Sequence, residues 1–416
     1  MFRINLPENV KYIIDKIYAN GFEAYAVGGC VRDSILGRVP DDWDITTSAL
    51  PAQIKNIFKK TIDTGIQHGT VTVMLNKVGY EVTTYRIDGE YEDMRHPKNV
   101  EFTNNLVLDL KRRDFTINAM AYNDVVGLVD EFGGIDDINN KVIKCVGHAT
   151  ERFSEDALRI LRAVRFSAQL GFSIEEGTAK AITELSNTLV NISRERIHTE
   201  LNKMLKSKNP DYFNVADELG IMQYIIPEYC SYDDNQKHAA AMLAKEVSDN
   251  LPERYAAMLV FVGSDVSKKI LRDLKLDNDT INMTHHILKS FDFDVMDDEI
   301  SVRRLIHNVG KQDILRVIEF RLSFEKVAGS ENKVSKINKI YEMAAKLLER
   351  GDCVDLKSLA LTGNDLLMLG VKPGKEIGLF LKILLDKVLI DQSLNNSDSL
   401  KKEVIELQKK QLSDEY

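Results

Sequence analysis

Apolar positions recur at helical spacing near the start of the chain. Val10, Ile13, Ile14 and Ile17 line one face of a helix running from Pro7 to about Asn20, with Pro7 suited to its first turn and Gly21 stopping it. The period then shortens. Tyr25-Ala26-Val27, Val71-Thr72-Val73-Met74-Leu75 and Glu81-Val82-Thr83-Thr84-Tyr85 are β-rich runs separated by glycines or polar turns, as in a small sheet. From about Glu151 the helical period returns, with Leu158, Leu161, Val164 and Ala168 on one face and Ile197, Leu201 and Leu205 on another. The last ~200 residues hold few β-like runs and many Leu, Lys, Glu and Ala stretches, which favour helices. The pattern predicts an α+β unit at residues 1–138, then all-α segments at 139–209, 210–329 and 330–416, divided near Asn209-Pro210 and Ala328-Gly329-Ser330. After Asp391 the chain turns polar and reads as a fraying tail.

Composition narrows the class. Across 416 residues, 44% are hydrophobic and 29% charged, an ordinary globular mixture that calls for more than one domain. No apolar run approaches the ~20 residues that span a bilayer, and no secretory signal is legible, so the expectation is a cytoplasmic protein without a membrane partner. Cys30, Cys145, Cys230 and Cys353 lie far apart, without metal-ligand spacing, and read as reduced thiols. A net charge of −9 argues against indiscriminate nucleic-acid binding, yet leaves room for RNA held on a local basic surface.

Two features carry candidate chemistry. Gly28-Gly29-Cys30-Val31-Arg32-Asp33 follows a short strand and opens a helix. Backbone N–H groups there can approach a phosphate, and Arg32 adds a charge-assisted contact, although a double glycine also suits a simple tight turn. In Asp42-Trp43-Asp44 the two carboxylates share one face of an extended chain. Their repulsion favours a cation, and Mg²⁺ with substrate phosphates is the natural partner; a solvated acidic turn is the plainer alternative.

Five motifs in order resemble class II tRNA nucleotidyltransferases and their bacterial poly(A) polymerase relatives. They are Ala26 to Asp33 with Asp42 to Pro51, Lys111 to Ala119, Asp130 to Asp137, Glu155 to Arg159, and Ser193 to Ile197. Leu361 to Asp365 and Val371 to Gly374 are similar to the tail of the bacterial enzymes. The resemblance implies a seahorse-shaped protein: a polymerase-β-like nucleotidyltransferase head followed by a helical neck, body and tail. It implies addition of CCA to tRNA 3′ ends from CTP and ATP, with no obligatory protein partner. By carry-over, Asp42 and Asp44 bind Mg²⁺ and are catalytic, Gly29, Arg32 and Arg113 contact the nucleotide, and Asp156, Arg159, Arg162 and Arg165 complete its pocket. Two-metal transfer needs a third carboxylate, for which Glu81, opening its strand, is the first candidate and Asp114 the second. Arg113-Asp114 beside Phe115-Thr116 would read the ribose 2′-hydroxyl.

On one continuous helix, Glu155, Arg159 and Arg162 would form a stripe with Asp156 beside Arg159. Cytosine and adenine each present an amino donor next to a ring-nitrogen acceptor, which suits a carboxylate paired with a guanidinium; uracil and guanine reverse the pattern. A plain surface helix with i,i+4 ion pairs is the competing view. Glu81 to Pro97 resembles the family's flexible loop, and His68 and His96 read as polar loop residues. Arg194, Arg196, Lys203, Lys206 and Lys208, and later Lys357, Lys372, Lys375, Lys382 and Lys387, are candidate phosphate contacts for tRNA. Tyr255 to Gly263 stands where some relatives carry a His-Asp metal pair, so His238, His285 and His286 are expected to serve no phosphohydrolase. Poly(A) or A-only addition, and a non-catalytic RNA-binding protein, remain alternatives.

Overall fold

The computed structural model describes residues 3–89 and 100–414. Glu90 to Pro97 of the loop segment singled out above, with His96, lies outside the described residues. Contacts divide the chain into two compact units, Met1–Lys237 with Ile270–Asp277, and His238–Lys269 with Asn278–Tyr416.

The first unit opens with helix Glu8–Tyr18, which buries Val10, Ile13, Ile14 and Ile17 as its period requires. Eleven strands follow among the described residues: β1 (Ala24–Val27), β2 (Ile45–Thr47), β3 (Thr61–Gly65), β4 (Thr70–Leu75), β5 (Val78–Thr84), β6 (Arg86–Asp88), β7 (Val100–Phe102), β8 (Ala121–Asn123), β9 (Gly127–Val129), and the short parallel pair β10 (Val142–Ile143) and β11 (Ser173–Ile174). Seven form one mixed sheet in the order β3-β4-β5-β2-β1-β8-β9, and β6 with β7 makes a separate hairpin. The pair β2–β5 is parallel, while β1 runs antiparallel to both β2 and β8. Glu81 therefore does not open its strand, as the sequence suggested, but sits within β5, which begins three residues earlier at Val78. A cluster of Tyr25, Val27, Tyr85, Leu106, Leu110, Ala119, Ala121 and Val146 packs beneath this end of the sheet.

Beyond the sheet the first unit is mainly helical. Helix Leu158–Leu170 buries Ile160, Leu161, Val164 and Ala168. The isolated bridge between Phe115 and Cys145, and the edge-on packing of Phe115 against Phe166 at 5.8 Å, tie it to the sheet.

In the second unit the described residues are helical. Phe291 packs edge-on against Phe320 at 5.3 Å. The polar segment after Asp391 is not a fraying tail. Residues Ser397–Asp414 form a helix whose Leu400 and Val404, one turn apart, are fully buried. Two apolar positions at i,i+4 were enough to dock an otherwise charged helix.

One buried ion pair joins three helices of this unit. Arg303 donates to Asp352 at 2.7 Å, to the Leu389 carbonyl at 3.0 Å and to Glu299 at 2.6 Å, and Arg350 donates to the same Asp352 at 2.6 and 2.8 Å. Hydrogen bonds from Arg350, opposed by burial and joined by Arg303, hold the Asp352 carboxyl below its ordinary 3.8. A depressed carboxyl stabilises the fold fully above the unfolded value and loses that contribution as pH falls through the folded one. Replacing Asp352 with Asn should cost about 1–3 kcal/mol in urea unfolding at neutral pH, because it removes the buried carboxylate partner of Arg303 and leaves Glu299 as its one remaining anion here. The difference from wild type should shrink as pH falls below 3.8; an unchanged difference would contradict the assignment.

Candidate active site

Strand register assembles the site. Ala26 faces Ile45 across β1–β2, so the next step sets Val27 beside Asp44, and the Val27 N–H donates to the Asp44 carbonyl at 3.0 Å. Ile45 faces Val82 across the parallel pair β2–β5, so one step back brings Asp44 alongside Glu81. Gly28 N–H donates to the Met120 carbonyl at 3.1 Å at the end of β8. The glycine turn, Asp44 and Glu81 thus stand in a row across one end of the sheet, with Asp42 on the extended approach to β2.

The electrostatics agree with this grouping. Burial pushes the Asp44 carboxyl up, Arg113 pulls it down, and the charge on Asp42 adds to the rise. Burial also raises Glu81, and the charges of Asp44 and Asp42 raise it further. Each carboxylate feels the others, and a divalent cation would relieve that repulsion. Although protein crowds Asp44 and Glu81, each of Asp42, Asp44 and Glu81 keeps part of its surface open to solvent. Among the described residues, no three His, Cys, Asp or Glu side chains form a ready metal cage. Hard oxygen donors held in pairs suit an ion that takes one or two carboxylates and completes its shell with phosphate and water.

The turn needs glycine. Gly28 has φ 81° and ψ −128°, and a Cβ there would lie 2.9 Å from Arg113 Nη1. Helix Gly29–Ile35 follows, and its Arg32 is buried. Arg32 donates to Asn118 Oδ1 at 2.6 Å and pairs with Asp33 at 2.9 Å.

Residues 109–118 form the hub. Asp114 is buried, and its carboxylate is taken up by protein partners. Its oxygens accept from Arg162 at 2.6 and 2.8 Å, from Asn118 at 3.1 Å and from the Phe115 N–H at 2.8 Å. Burial alone would raise the Asp114 carboxyl, but Arg162, helped by Asn118 and Arg159, holds it far below the usual range.

The expected continuous helix through Glu155 and Arg162 is absent. Helix Ala149–Glu155 ends, Asp156 is extended at φ −141° and ψ 103°, and the next helix starts at Leu158. The break falls at Asp156, between Glu155 and the two arginines of the expected stripe. The Asp156 carboxylate accepts from Arg196 at 2.7 Å and from the Leu158 N–H at 3.0 Å, as an N-terminal carboxylate does. Arg159 pairs with Glu155 and donates to the carbonyls of Arg152 at 3.0 Å and Arg112 at 3.1 Å. The side chains of Asp156 and Arg159 are thus each engaged with other protein partners, while the Arg159 N–H donates to the Asp156 carbonyl at 3.0 Å.

Arg165 is buried against Glu200 and Gln169, and its guanidinium lies 3.7 Å from the Phe166 ring centre. Arg32 at 5.0 Å and Arg162 at 5.3 Å share that ring, which makes Phe166 a plate for three arginines. Sequence reading missed Phe166, Asn118 and Arg196 as site residues. Arg196 and Lys387, both candidate phosphate contacts, are paired within the protein with Asp156 and Glu403.

The chain resembles known proteins over nearly its whole length. Residues 24–144 match the family described as Poly A polymerase head domain, and residues 250–404 match tRNA nucleotidyltransferase domain 2. A CCA-adding enzyme of Ligilactobacillus salivarius is 37% identical over 95% of this chain and 96% of its own. One of Listeria monocytogenes is 38% identical over 92% and 94%. The crystal structure of the Bacillus stearothermophilus CCA-adding enzyme in complex with CTP superposes with a TM-score of 0.79 at 30% identity, covering 97% of this chain and 98% of that one. With such identity across the head and the helical segments alike, this chain belongs to the family of CCA-adding enzymes.

Proposed function

We propose that the protein rebuilds the CCA end of tRNA, adding two cytidylates and one adenylate from CTP and ATP and releasing pyrophosphate at each step. The observation that carries this is the row of Asp42, Asp44 and Glu81 beside the Gly28 turn, in a chain 37% identical over 95% of its length to a CCA-adding enzyme. The tRNA 3′-hydroxyl attacks the nucleotide's α-phosphorus, and the bond to pyrophosphate breaks. Bound Mg²⁺, held by Asp42 and Asp44 with Glu81 alongside, would supply the charge that favours a 3′-alkoxide and offsets the triphosphate. Gly29 lets the chain approach the nucleotide closely, and Arg32 and Arg113 contact it. Asp114 keeps Arg162 in place while Asn118 steadies Arg32.

Asp156 and Arg159 are assigned to the Watson–Crick edge of the base, with Arg162 and Arg165 behind them. Because Asp156 is held by Arg196 and Arg159 by Glu155, an entering base must exchange with those partners. Only a base offering an amino donor and a ring acceptor repairs both losses; uracil leaves them unmade. On this reading the head, neck, body and tail are residues 1–138, 139–209, 210–329 and 330–416, and Arg194, Lys203, Lys206 and Lys208 are left to meet RNA phosphates. The compartment is the cytoplasm, in keeping with four unpaired cysteines and, among the described residues, no helix long and apolar enough to cross a membrane.

Labelled CTP and ATP offered to tRNAs lacking three, two or one terminal nucleotides should yield two C and then one A, with extension stopping there. Long adenylate tails, or A addition alone, would overturn the assignment in favour of the poly(A) or A-only reaction. Alanine at Asp42 or Asp44 should lower incorporation by about three orders of magnitude while tRNA binding persists. Binding lost together with activity would instead mean a folding defect. Replacing Asp156 with Ala should erode the preference for CTP over UTP by about a hundredfold or more, read from single-nucleotide incorporation. Preference retained at the wild-type level would end the base-reading role.

A further inference from the structure

Asp109 is fully buried, at 0% exposure, in a chain whose other head carboxylates mostly face solvent. It lies in helix Leu106–Lys111, one turn before the arginines of the hub. Its Oδ1 accepts from Arg112 Nε at 2.9 Å and from the Arg86 N–H at 3.3 Å. Its Oδ2 accepts from Thr46 Oγ1 at 3.1 Å and lies 3.6 Å from Arg113 Nη2. Thr46 follows Asp44 by two residues on β2, and Arg86 opens the β6–β7 hairpin. One carboxylate thus touches the strand that carries the metal-binding pair, the base of the hairpin and both hub arginines.

Arg113 depends on it most. The Nε of Arg113 is buried without a hydrogen-bond partner, and its Nη1 lies over the Gly28 turn, 2.9 Å from where a Cβ would stand. Two anions flank this guanidinium: Asp109, 3.6 Å from its Nη2, and Asp44, which stands beside the same turn through the bond from the Val27 N–H to its carbonyl. Remove the first and the guanidinium is left to pair with Asp44, competing there with any cation.

We propose that Asp109 is the positioning residue that holds Arg113 over the Gly28–Gly29 turn and off Asp44, so that the guanidinium faces the nucleotide. The inference rests on the nucleotide-binding reading above. Burial without compensation would make such a carboxylate costly; two guanidiniums, a hydroxyl and a backbone N–H supply that compensation and fix its position.

The test is a coupling measurement on the full chain. CTP is titrated calorimetrically in the presence of Mg²⁺ and the absence of tRNA, with melting temperature recorded for each variant. Asp109→Asn keeps the shape and removes the charge, and should weaken CTP binding about tenfold. Arg113→Ala should weaken it comparably, and the double variant no further than Arg113→Ala alone. Melting temperature alone does not decide, because a structural residue would move it too. Unchanged affinity in Asp109→Asn, or an equal loss with and without Arg113, overturns the inference. A wild-type protein that binds neither CTP nor ATP overturns the parent reading instead. Should Asp109→Asn fail to fold, Thr46→Val carries the test. It is isosteric, removes one bond to the oxygen facing Arg113, and should cost about threefold in CTP affinity; no loss there overturns the inference equally.

Discussion

Carboxylates brought together at the end of a sheet repel one another, and this head is organised around keeping three of them there. Asp44 and Glu81 are each pushed up by burial and by their neighbours. Nothing in the turn itself offsets that cost except Arg113, which draws Asp44 down. The arrangement persists because backbone hydrogen bonds of β1, β2 and β5 fix the register, and a one-residue slip would turn each side chain to the opposite face. Electrostatic strain in the row is therefore borne by the ladder and by the apolar cluster beneath it, in which Tyr85, Leu106 and Leu110 are buried.

The same economy governs the arginines. Guanidiniums that would repel each other are separated by assigning each a carboxylate: Arg112 to Asp109, Arg162 to Asp114, Arg159 to Glu155, Arg196 to Asp156 and Arg165 to Glu200. The guanidiniums of Arg32, Arg162 and Arg165 then gather around the Phe166 ring, within 5.0, 5.3 and 3.7 Å of its centre. On the proposed function, a nucleotide would enter a site whose charges are already paired, and its selectivity would come from what must be exchanged, since a base that cannot replace a lost partner leaves it buried and unpaired.

Much of this was legible in the residue pattern. Helix Glu8–Tyr18, the β-rich head and the helical remainder follow from periods of 3.6 and 2 in the apolar positions, because burial of one face is local arithmetic. Gly28 and the Asp42–Asp44 pair were also readable, since a positive φ and a shared face depend on near neighbours alone. The charged helix Ser397–Asp414 was not, because two buried residues, Leu400 and Val404, outweighed a polar surrounding.

Sequence by itself determined which residues are candidates for the chemistry; the tertiary structure decided which of them meet. The break at Asp156 is invisible in a helical wheel, yet it hands that carboxylate to Arg196, forty residues on, and leaves Arg159 to Glu155. Glu81 joined the row only through the parallel register of β5 with β2. Asp114, equally acidic and within the hub itself, was taken instead by Arg162. The physical reason is the same in each case: a charge's partner is set by distance through space and by the water excluded around it, and neither quantity is written in the order of the residues.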